Sequence, residues 1–272
     1  MYAIASQKEM RYNYPMKKIY KIFLITVLAT IILTSIFAGC TKEDNKIYNN
    51  QYTNDASYDS GISSNQYEVK TFIADGYKVY QPQVNTEWVF IFYLGTAMSV
   101  NNYDEILTNV ASHGISVVVP DNKIADLGYK KEEKAFFMFD CKNYIIGGHS
   151  QGGGAAIRRA KENMEIVKTC VLLSPMISNS LSLKDSTLPV LFFEAENDKI
   201  LSSEQKNEVK SRMNNKCQYV LLEGANHMCY GESNLMSNVD GENTRDKKEI
   251  QLEITSEIIS FLDGIIKSVK TN

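Results

Sequence analysis

The sequence has few of the residues that build metal sites, disulfide frameworks or nucleic-acid surfaces. Among its 272 residues are three histidines and five cysteines. No two cysteines are separated by two residues, so the spacing typical of a zinc site is missing. The formal net charge of -3 gives no reason to expect nucleic acid as a partner. We therefore expect no metal, no other cofactor and no nucleic-acid partner.

Basic charge is concentrated at the start of the chain. Residues 1–39 carry five Lys and Arg against one acid, which leaves 24 basic and 31 acidic residues for the rest. Two lysines precede an apolar stretch over residues 22–38 that ends in Ala-Gly-Cys40. This pattern resembles a bacterial lipoprotein signal, in which Cys40 becomes the lipid-carrying first residue of the mature protein. An uncleaved transmembrane anchor is the alternative, and either would hold the remaining chain outside the cytoplasmic membrane.

Composition divides the chain into three parts. Residues 1–39 are predicted to be a signal segment, and because residues 1–15 precede its basic region, we expect translation to start at Met16. Residues 40–66 are rich in Asn, Ser, Asp and Tyr without apolar periodicity, which predicts a flexible lipoprotein tether. A single folded domain is predicted over residues 67–272.

Four cysteines fall inside the predicted domain, namely Cys141, Cys170, Cys217 and Cys229. Four thiols are too few for a disulfide scaffold in a domain of this size, and the sequence assigns no pairing. Cys170 lies in an apolar run and is predicted to be a buried packing residue.

Short apolar runs alternate with amphipathic segments throughout the predicted domain. The runs cover residues 88–94, 115–120, 144–148, 170–174, 190–195 and 218–224. Strands that are apolar on both faces belong to a parallel sheet covered by helices. The predicted helices cover residues 103–112, 131–139, 154–162, 203–213 and 249–268. The fold class is therefore α/β, with a mostly parallel central sheet and helices on both faces.

One serine lies in a dense cluster of glycines. Gly148-His149-Ser150-Gln151-Gly152 follows an apolar run and precedes a helix-forming segment. It fits the G-x-S-x-G elbow, a tight strand-to-helix turn that exposes a nucleophilic serine at the carboxyl end of a sheet. A phosphate loop fits poorly, because no Gly-Lys-Ser/Thr follows and no acidic ribose partner can be placed for a dinucleotide fingerprint.

The three histidines allow the base for this serine to be chosen by elimination. His113 precedes a predicted strand and so lies at the amino edge of the sheet. His149 adjoins the serine, and its side chain should point away from it. His227 follows the strand over residues 218–224 and lies at the carboxyl edge, where ligands bind in such sheets. We therefore predict His227 as the base.

The acid that would orient this histidine should follow a strand between the serine and the histidine. Glu194, Glu196 and Asp198 lie at the end of the run over residues 190–195. Glu194 is close to the strand and is predicted to be structural. Asp198 is the first candidate and Glu196 the second, since the order Ser, Asp, His is the one expected for this kind of site.

Acyl transfer also needs N–H donors for the oxyanion that develops on the substrate. The backbone N–H of Gln151, directly after the serine, is one candidate. The second donor should come from the loop after the strand over residues 88–94, with Tyr93 or Leu94 as candidates.

Four segments together resemble a known family. They are FYLGTAMSVNNYDEILTNVASHGISVVVPDN, GGHSQGGGAAI, PVLFFEAENDKI and LLEGANH, and they run in order from about Tyr67 to His227. They look like cutinase-like polyester hydrolases and the related dienelactone-hydrolase-like and chlorophyllase-like esterases. The resemblance implies an α/β-hydrolase fold with Ser150, Asp198 and His227 as catalytic residues. It also implies that Tyr93 donates an oxyanion N–H and lines the acyl site.

The sequence departs from that family at the predicted pocket. Ile91-Phe92 replaces the family's Pro-Gly before the oxyanion aromatic, Gln151 replaces a methionine, and Met176 replaces a tryptophan. An aromatic clamp is therefore not expected, and Met176 should give a flexible substrate wall that favours short acyl chains. The segment over residues 121–142 is short, which predicts no large cap domain.

These patterns predict a serine hydrolase that cleaves small carboxylic esters through an acyl-enzyme at the cell envelope. A binding lipoprotein that kept the scaffold without activity is one alternative. A thioesterase, acyltransferase or peptidase with the same three residues is another. The sequence does not define the oligomeric state.

Overall fold

The structure of the protein is a computed structural model that describes residues 66–120, 134–139 and 141–271. The predicted signal segment, Cys40 and almost all of the predicted tether lie outside the described residues. Most of the segment over residues 121–142 does so as well. The predictions of lipid attachment and export therefore stay predictions.

Eight strands form one sheet, in the order β1-β2-β4-β3-β5-β6-β7-β8. They are β1 (Val69–Ala74), β2 (Tyr77–Pro82), β3 (Trp88–Tyr93), β4 (Ser116–Pro120), β5 (Asn143–His149), β6 (Val167–Leu173), β7 (Val190–Ala195) and β8 (Cys217–Leu222). β1 pairs antiparallel with β2, and β2 antiparallel with β4. The remaining neighbouring pairs, in the order β4-β3-β5-β6-β7-β8, are parallel. The carboxyl ends of six strands thus meet at one edge.

The hairpin of β1 and β2 was not predicted from the sequence. Its strands carry polar residues between apolar ones, as half-exposed antiparallel strands do, and so contain no continuous apolar run. Asp75 and Gly76 connect them with φ of 50° and 80°. An Asp-Gly pair with both φ positive is the turn that matches the twist of a two-residue hairpin.

In the part of the chain that the structure describes, four α-helices cover the sheet. They are α1 (Asp104–Ser112), α2 (Gln151–Glu162), α3 (Ser203–Ser211) and α4 (Lys247–Lys270). Short 3-10 helices span Val100–Tyr103 and Lys134–Phe137. Apolar residues of α1 and α4 pack on one face of the sheet, and those of α2 and α3 pack on the other. The predicted three-layer α/β architecture is confirmed, and no separate cap domain interrupts the described residues.

The two apolar cores explain why the central strands are hydrophobic throughout. Successive residues of β3 alternate between them, with Phe90 and Phe92 on the α1/α4 side and Val89 and Ile91 on the α2/α3 side. Every residue of β3 is buried. Burial on both faces leaves the strand ends and their loops as the places where polar side chains can act.

The four cysteines of the domain are free thiols. Cys170 and Cys229 are buried, which confirms the prediction for Cys170. Within the described residues, no helix combines the length and apolar character needed to cross a membrane.

Candidate active site

β5 turns directly into α2 at Ser150. This serine has φ 53° and ψ -122°, in a region that residues other than glycine rarely adopt. Its N–H donates to the carbonyl of Leu173 at 3.0 Å, and its carbonyl accepts the N–H groups of Gly153 at 3.0 Å and Met176 at 2.8 Å. The surrounding backbone thus holds a strained residue in place, as expected where strain is part of a functional site. The predicted strand-to-helix turn is confirmed.

Glycines allow the turn because the first turn of α2 lies against two strands. A Cβ atom on Gly148 would lie 2.4 Å from the carbonyl of Gly152. A Cβ atom on Gly152 would lie 2.2 Å from the carbonyl oxygen of Tyr93 and 2.5 Å from that of Leu94. Contacts this short with backbone atoms exclude any side chain at either position.

His227 and Asp198 meet at the same edge of the sheet. The loop after β7 carries Asp198 and the loop after β8 carries His227, and His227 Nδ1 lies 2.8 Å from Asp198 Oδ2. Both residues are buried, with an exposed fraction of 2% for His227 and 6% for Asp198. Because a carboxylate only accepts, Nδ1 carries the hydrogen and Nε2 is left as the basic nitrogen.

Asp198 is held from two sides. Its Oδ1 accepts the backbone N–H groups of Ile200 at 2.9 Å and Leu201 at 3.0 Å, while Oδ2 bonds to His227. Burial raises the pKa of Asp198, but this is outweighed by the hydrogen bond and charge of His227, the Leu201 N–H and the charge of Lys206. The pKa of Asp198 therefore lies below its ordinary value, and the carboxylate stays ionised at neutral pH.

The loop that carries His227 is fixed on both sides of the histidine. The Met228 N–H donates to Asp240 Oδ2 at 3.0 Å. The Asn226 N–H donates to Asn243 Oδ1 at 2.7 Å, and its side-chain amide donates to the carbonyl of Gly241 at 2.7 Å. The segment before α4 thus clamps the loop, a role that the sequence analysis did not predict.

The other two acidic candidates lie elsewhere. Glu196 is exposed, and its Oε2 accepts the N–H of Gly224 at 2.7 Å. Glu194 forms an ion pair with Lys210 of α3. The geometry therefore singles out Asp198 as the carboxylate that contacts the histidine.

The end of β3, where Tyr93 or Leu94 was predicted to supply the second oxyanion donor, lies directly against the elbow. Tyr93 is the last residue of β3, paired in register with Gly148, and its side chain has no exposed surface. It lies in the core beneath α2 and so does not form an open substrate wall. The loop passes the elbow two residues later, where a Cβ atom on Gly95 would lie 2.7 Å from His149 Nδ1.

Thr96 comes next in this loop and was not predicted from the sequence. Thr96 is half-buried, and its Oγ1 is buried without a hydrogen-bond partner among the described residues. Ala97, directly after it, has φ 59°. A buried hydroxyl without a partner is costly unless a ligand supplies one.

The side chains of Gln151 and Met176 lie next to each other beside the serine. The amide nitrogen of Gln151 lies 4.0 Å from the sulfur of Met176, and both side chains are partly exposed. The N–H of Met176 bonds to the carbonyl of Ser150, which ties this loop to the elbow. The structure thus brings together two of the three positions at which the sequence departs from the resembled family.

The remaining histidines make other contacts. His113 follows α1, and its Nδ1 lies 2.8 Å from the carbonyl of Asn109, away from the carboxyl edge. His149 is buried, and its two ring nitrogens contact Tyr103 and the backbone carbonyl of His227. Among the described residues, no group of three or more His, Cys, Asp and Glu side chains could hold a metal ion.

Comparisons with known proteins agree with this architecture. The model of the alpha/beta hydrolase family matches residues 89–251, which is more than half of the chain. The cutinase Est2 of Thermobifida alba is 29% identical over 164 residues, which are 52% of this chain and 53% of the cutinase. A protein of Mycobacterium phage D29 with the provisional name non-heme haloperoxidase is 30% identical over 113 residues, 37% of this chain and 41% of its own.

The aligned regions thus span about half, or less, of these curated relatives. The family match, by contrast, runs from β3 to the first turns of α4 and includes the elbow, the loop after β7 and the loop after β8. With the sheet order and the strand-to-helix turn at Ser150, it shows that the chain belongs to the alpha/beta hydrolase family.

Proposed function

We propose that this protein is a serine hydrolase that cleaves carboxylic esters. The observation that carries the proposal is the buried pair of His227 and Asp198, 2.8 Å apart, at the sheet edge where the strained elbow presents Ser150. The partial likeness to a cutinase supports an ester as the substrate. The proposed location at the cell envelope rests on the sequence pattern that ends in Cys40.

The proposed reaction proceeds in two stages. His227 Nε2 takes the proton from the Ser150 hydroxyl as its oxygen attacks the ester carbonyl carbon, and the protonated imidazole then gives that proton to the leaving alcohol. A water molecule, deprotonated by the same nitrogen, then attacks the acyl carbon, and the imidazolium returns its proton to the Ser150 oxygen as the acyl–oxygen bond breaks and the acid leaves. Asp198 keeps the hydrogen of the neutral imidazole on Nδ1 and stabilises the imidazolium between the steps.

Two groups are proposed to stabilise the oxyanion. One is the backbone N–H of Gln151, which lies in the first turn of α2, where the helix dipole favours negative charge. The second is Thr96, whose buried hydroxyl has no partner among the described residues and whose loop lies against the elbow. The sequence placed this donor at the backbone N–H of Tyr93 or Leu94, and Thr96 is proposed instead because its hydroxyl is buried and lacks a partner among the described residues.

The proposed substrates are small esters with short acyl chains. The wall of Gln151 and Met176 offers one polar and one flexible apolar side chain and no rigid aromatic face. Each methylene contributes about 0.8 kcal/mol only where protein surface exists to bury it. We therefore expect the specificity constant to stop rising at acyl chains of medium length.

The proposal is tested by hydrolysis of a short p-nitrophenyl ester. Ser150→Ala and His227→Ala should each lower kcat by about 10³-fold or more, and the double variant should lose little beyond either one, because the residues act as a unit. Ser174→Ala is the matched control, since Ser174 also ends a strand with positive φ but bonds to Tyr230. Ser150→Ala activity within about tenfold of the parent would contradict the assignment.

Thr96 is tested by two substitutions that differ in one group. Thr96→Val removes the hydroxyl at nearly constant shape and should lower kcat by about 10²-fold, as loss of an oxyanion donor does. Thr96→Ser keeps the hydroxyl and should retain most of the activity. Equal kcat values for the Val and Ser variants would show that the hydroxyl does not act on the oxyanion.

A further inference from the structure

A chain of buried hydrogen bonds links three parts of the candidate site. The Gly95 N–H donates to the hydroxyl oxygen of Tyr103 at 3.1 Å. That hydroxyl lies 2.8 Å from His149 Nδ1, and His149 Nε2 lies 3.0 Å from the backbone carbonyl oxygen of His227. The loop after β3, the elbow and the His227 loop are thus joined through one imidazole.

The contacts define which nitrogen of His149 carries the hydrogen. A carbonyl oxygen only accepts, so Nε2 must donate to His227. A neutral imidazole has one N–H, so Nδ1 must accept, and its donor is the Tyr103 hydroxyl. The oxygen of Tyr103 is then available to accept from Gly95. Every group in the chain has a partner in this one arrangement.

The surroundings keep His149 neutral. Burial and the nearby charge of His227 lower the pKa of His149 well below its ordinary value, outweighing the bond to the His227 carbonyl. Burial also raises the pKa of Tyr103, so its hydroxyl keeps its hydrogen. The rings of His227 and Tyr230 pack on the imidazole at centroid distances of 4.8 and 5.1 Å.

We propose that His149 is a positioning residue that holds His227 through its Nε2–H, and that Tyr103 sets the imidazole tautomer which this bond requires. This role is additional to the place of His149 in the elbow, because its ring contacts the backbone of His227, the residue proposed as the base. It rests on the proposed function for its effect on turnover. The tautomer itself can be measured whether or not the protein hydrolyses esters.

The structure explains why this bond should affect catalysis. Asn226 and Met228 fix the His227 loop from one side, through the segment over residues 240–243. The bond from His149 fixes the carbonyl between them from the elbow side. Removing it would let the base move relative to Ser150 while the pair with Asp198 remains. A displacement of about 1 Å can cost on the order of 10²-fold in rate.

The experiment compares Tyr103→Phe with Tyr80→Phe in the full chain. Tyr80 is a matched control, because it is also a buried tyrosine whose hydroxyl bonds to a side chain, that of Asp104, which is not a proposed catalytic group. Tyr103→Phe should lower kcat by about tenfold with KM changed little, because a lost buried hydrogen bond of this kind is worth about one factor of ten. Tyr80→Phe should leave kcat unchanged.

Nitrogen NMR of ¹⁵N-histidine protein gives the second readout. The chain has three histidines, so the ring-nitrogen signals that disappear when His149 is substituted are those of His149. The parent should show His149 protonated at Nε2, and Tyr103→Phe should show a mixture of tautomers. A parent protonated at Nδ1, or a Tyr103→Phe protein with parental tautomer and kcat, would overturn the proposal.

Substitution of His149 completes the test. His149→Phe keeps a ring but removes the donor, and His149→Gln can still donate to the His227 carbonyl, so the Gln variant should recover most of the kcat that the Phe variant loses. Equal losses in both would contradict positioning through this bond. A parent without esterase activity would refute the proposed function, while the NMR result would still decide the tautomer.

Discussion

Asp198 uses both carboxylate oxygens, and this distinguishes it from the neighbouring acids. Oδ2 contacts His227, while Oδ1 accepts two backbone N–H groups of its own loop. An amide in place of the carboxylate could still accept from the loop. It would then present its NH₂ group to His227 Nδ1 and move the imidazole hydrogen to Nε2, the nitrogen that must accept the serine proton.

Asp198→Asn should therefore lower kcat by about 10⁴-fold, because the imidazole is held in the wrong tautomer. Glu196→Gln is the matched control, since Glu196 accepts only the Gly224 N–H and an amide oxygen can do the same. Its kcat should stay near that of the parent. Steady-state kinetics on one ester would distinguish the two, and the reverse ranking would move the orienting acid to Glu196.

At the level of residues, the sequence predicts those site positions that follow from chain order and from where the strands end. Ser150, Asp198 and His227 follow β5, β7 and β8, three strands of the parallel part of the sheet, so their loops share an edge. Thr96 could not be predicted in this way, because β3 ends at Tyr93 and the donor position depends on the path of the next three residues. The contact of His149 with the His227 carbonyl joins residues 78 positions apart and has no local signal.

The strands and helices likewise divide into those that the local sequence predicts and those that depend on tertiary contacts. The apolar runs predict the six parallel strands to within a few residues. For β3 to β7 this follows from burial on both faces, which needs no knowledge of neighbours, whereas β8 is an edge strand that is partly exposed. β1 is an edge strand and β2 lies beside it, and partly exposed positions in both strands break the apolar run. α2 begins at Gln151, three residues before the predicted start, because its three N-terminal glycines pack closely on the end of β3 and on the loop after β6, contacts that the local sequence does not reveal.

The glycines of two helices should therefore respond oppositely to alanine. Gly152→Ala places a Cβ atom 2.2 Å from the Tyr93 carbonyl oxygen, so it should destabilise the fold and distort the elbow. Gly264→Ala, in the exposed middle of α4 with nothing within 4 Å of the new atom, should stabilise by about 0.5–1 kcal/mol through helix propensity. Urea unfolding of both variants checks this, and a tolerated Gly152→Ala would contradict the close packing.

For the whole molecule, the buried neutral His149 predicts how stability depends on pH. The folded pKa of His149 is well below 6.5, whereas the unfolded chain takes up this proton near its ordinary value. The unfolded state therefore binds more protons below about pH 6.5, and stability falls as the pH is lowered from there. Asp198, whose pKa is also lowered, contributes to acid sensitivity only as the pH approaches and falls below its ordinary value of 3.8.

The variant His149→Gln distinguishes the pH range in which His149 lowers stability from the more acidic range in which Asp198 does. The groups that face the imidazole are His227, Tyr103 and Tyr230, and burial raises the pKa of both tyrosines, so neither hydroxyl titrates near neutral pH. Between pH 7.5 and 5, the free energy of unfolding of the parent should fall more steeply than that of the variant. The slopes should differ by up to about 1.4 kcal/mol per pH unit. Urea unfolding at several pH values measures both, and parallel curves would mean that His149 is protonated equally in the folded and unfolded states.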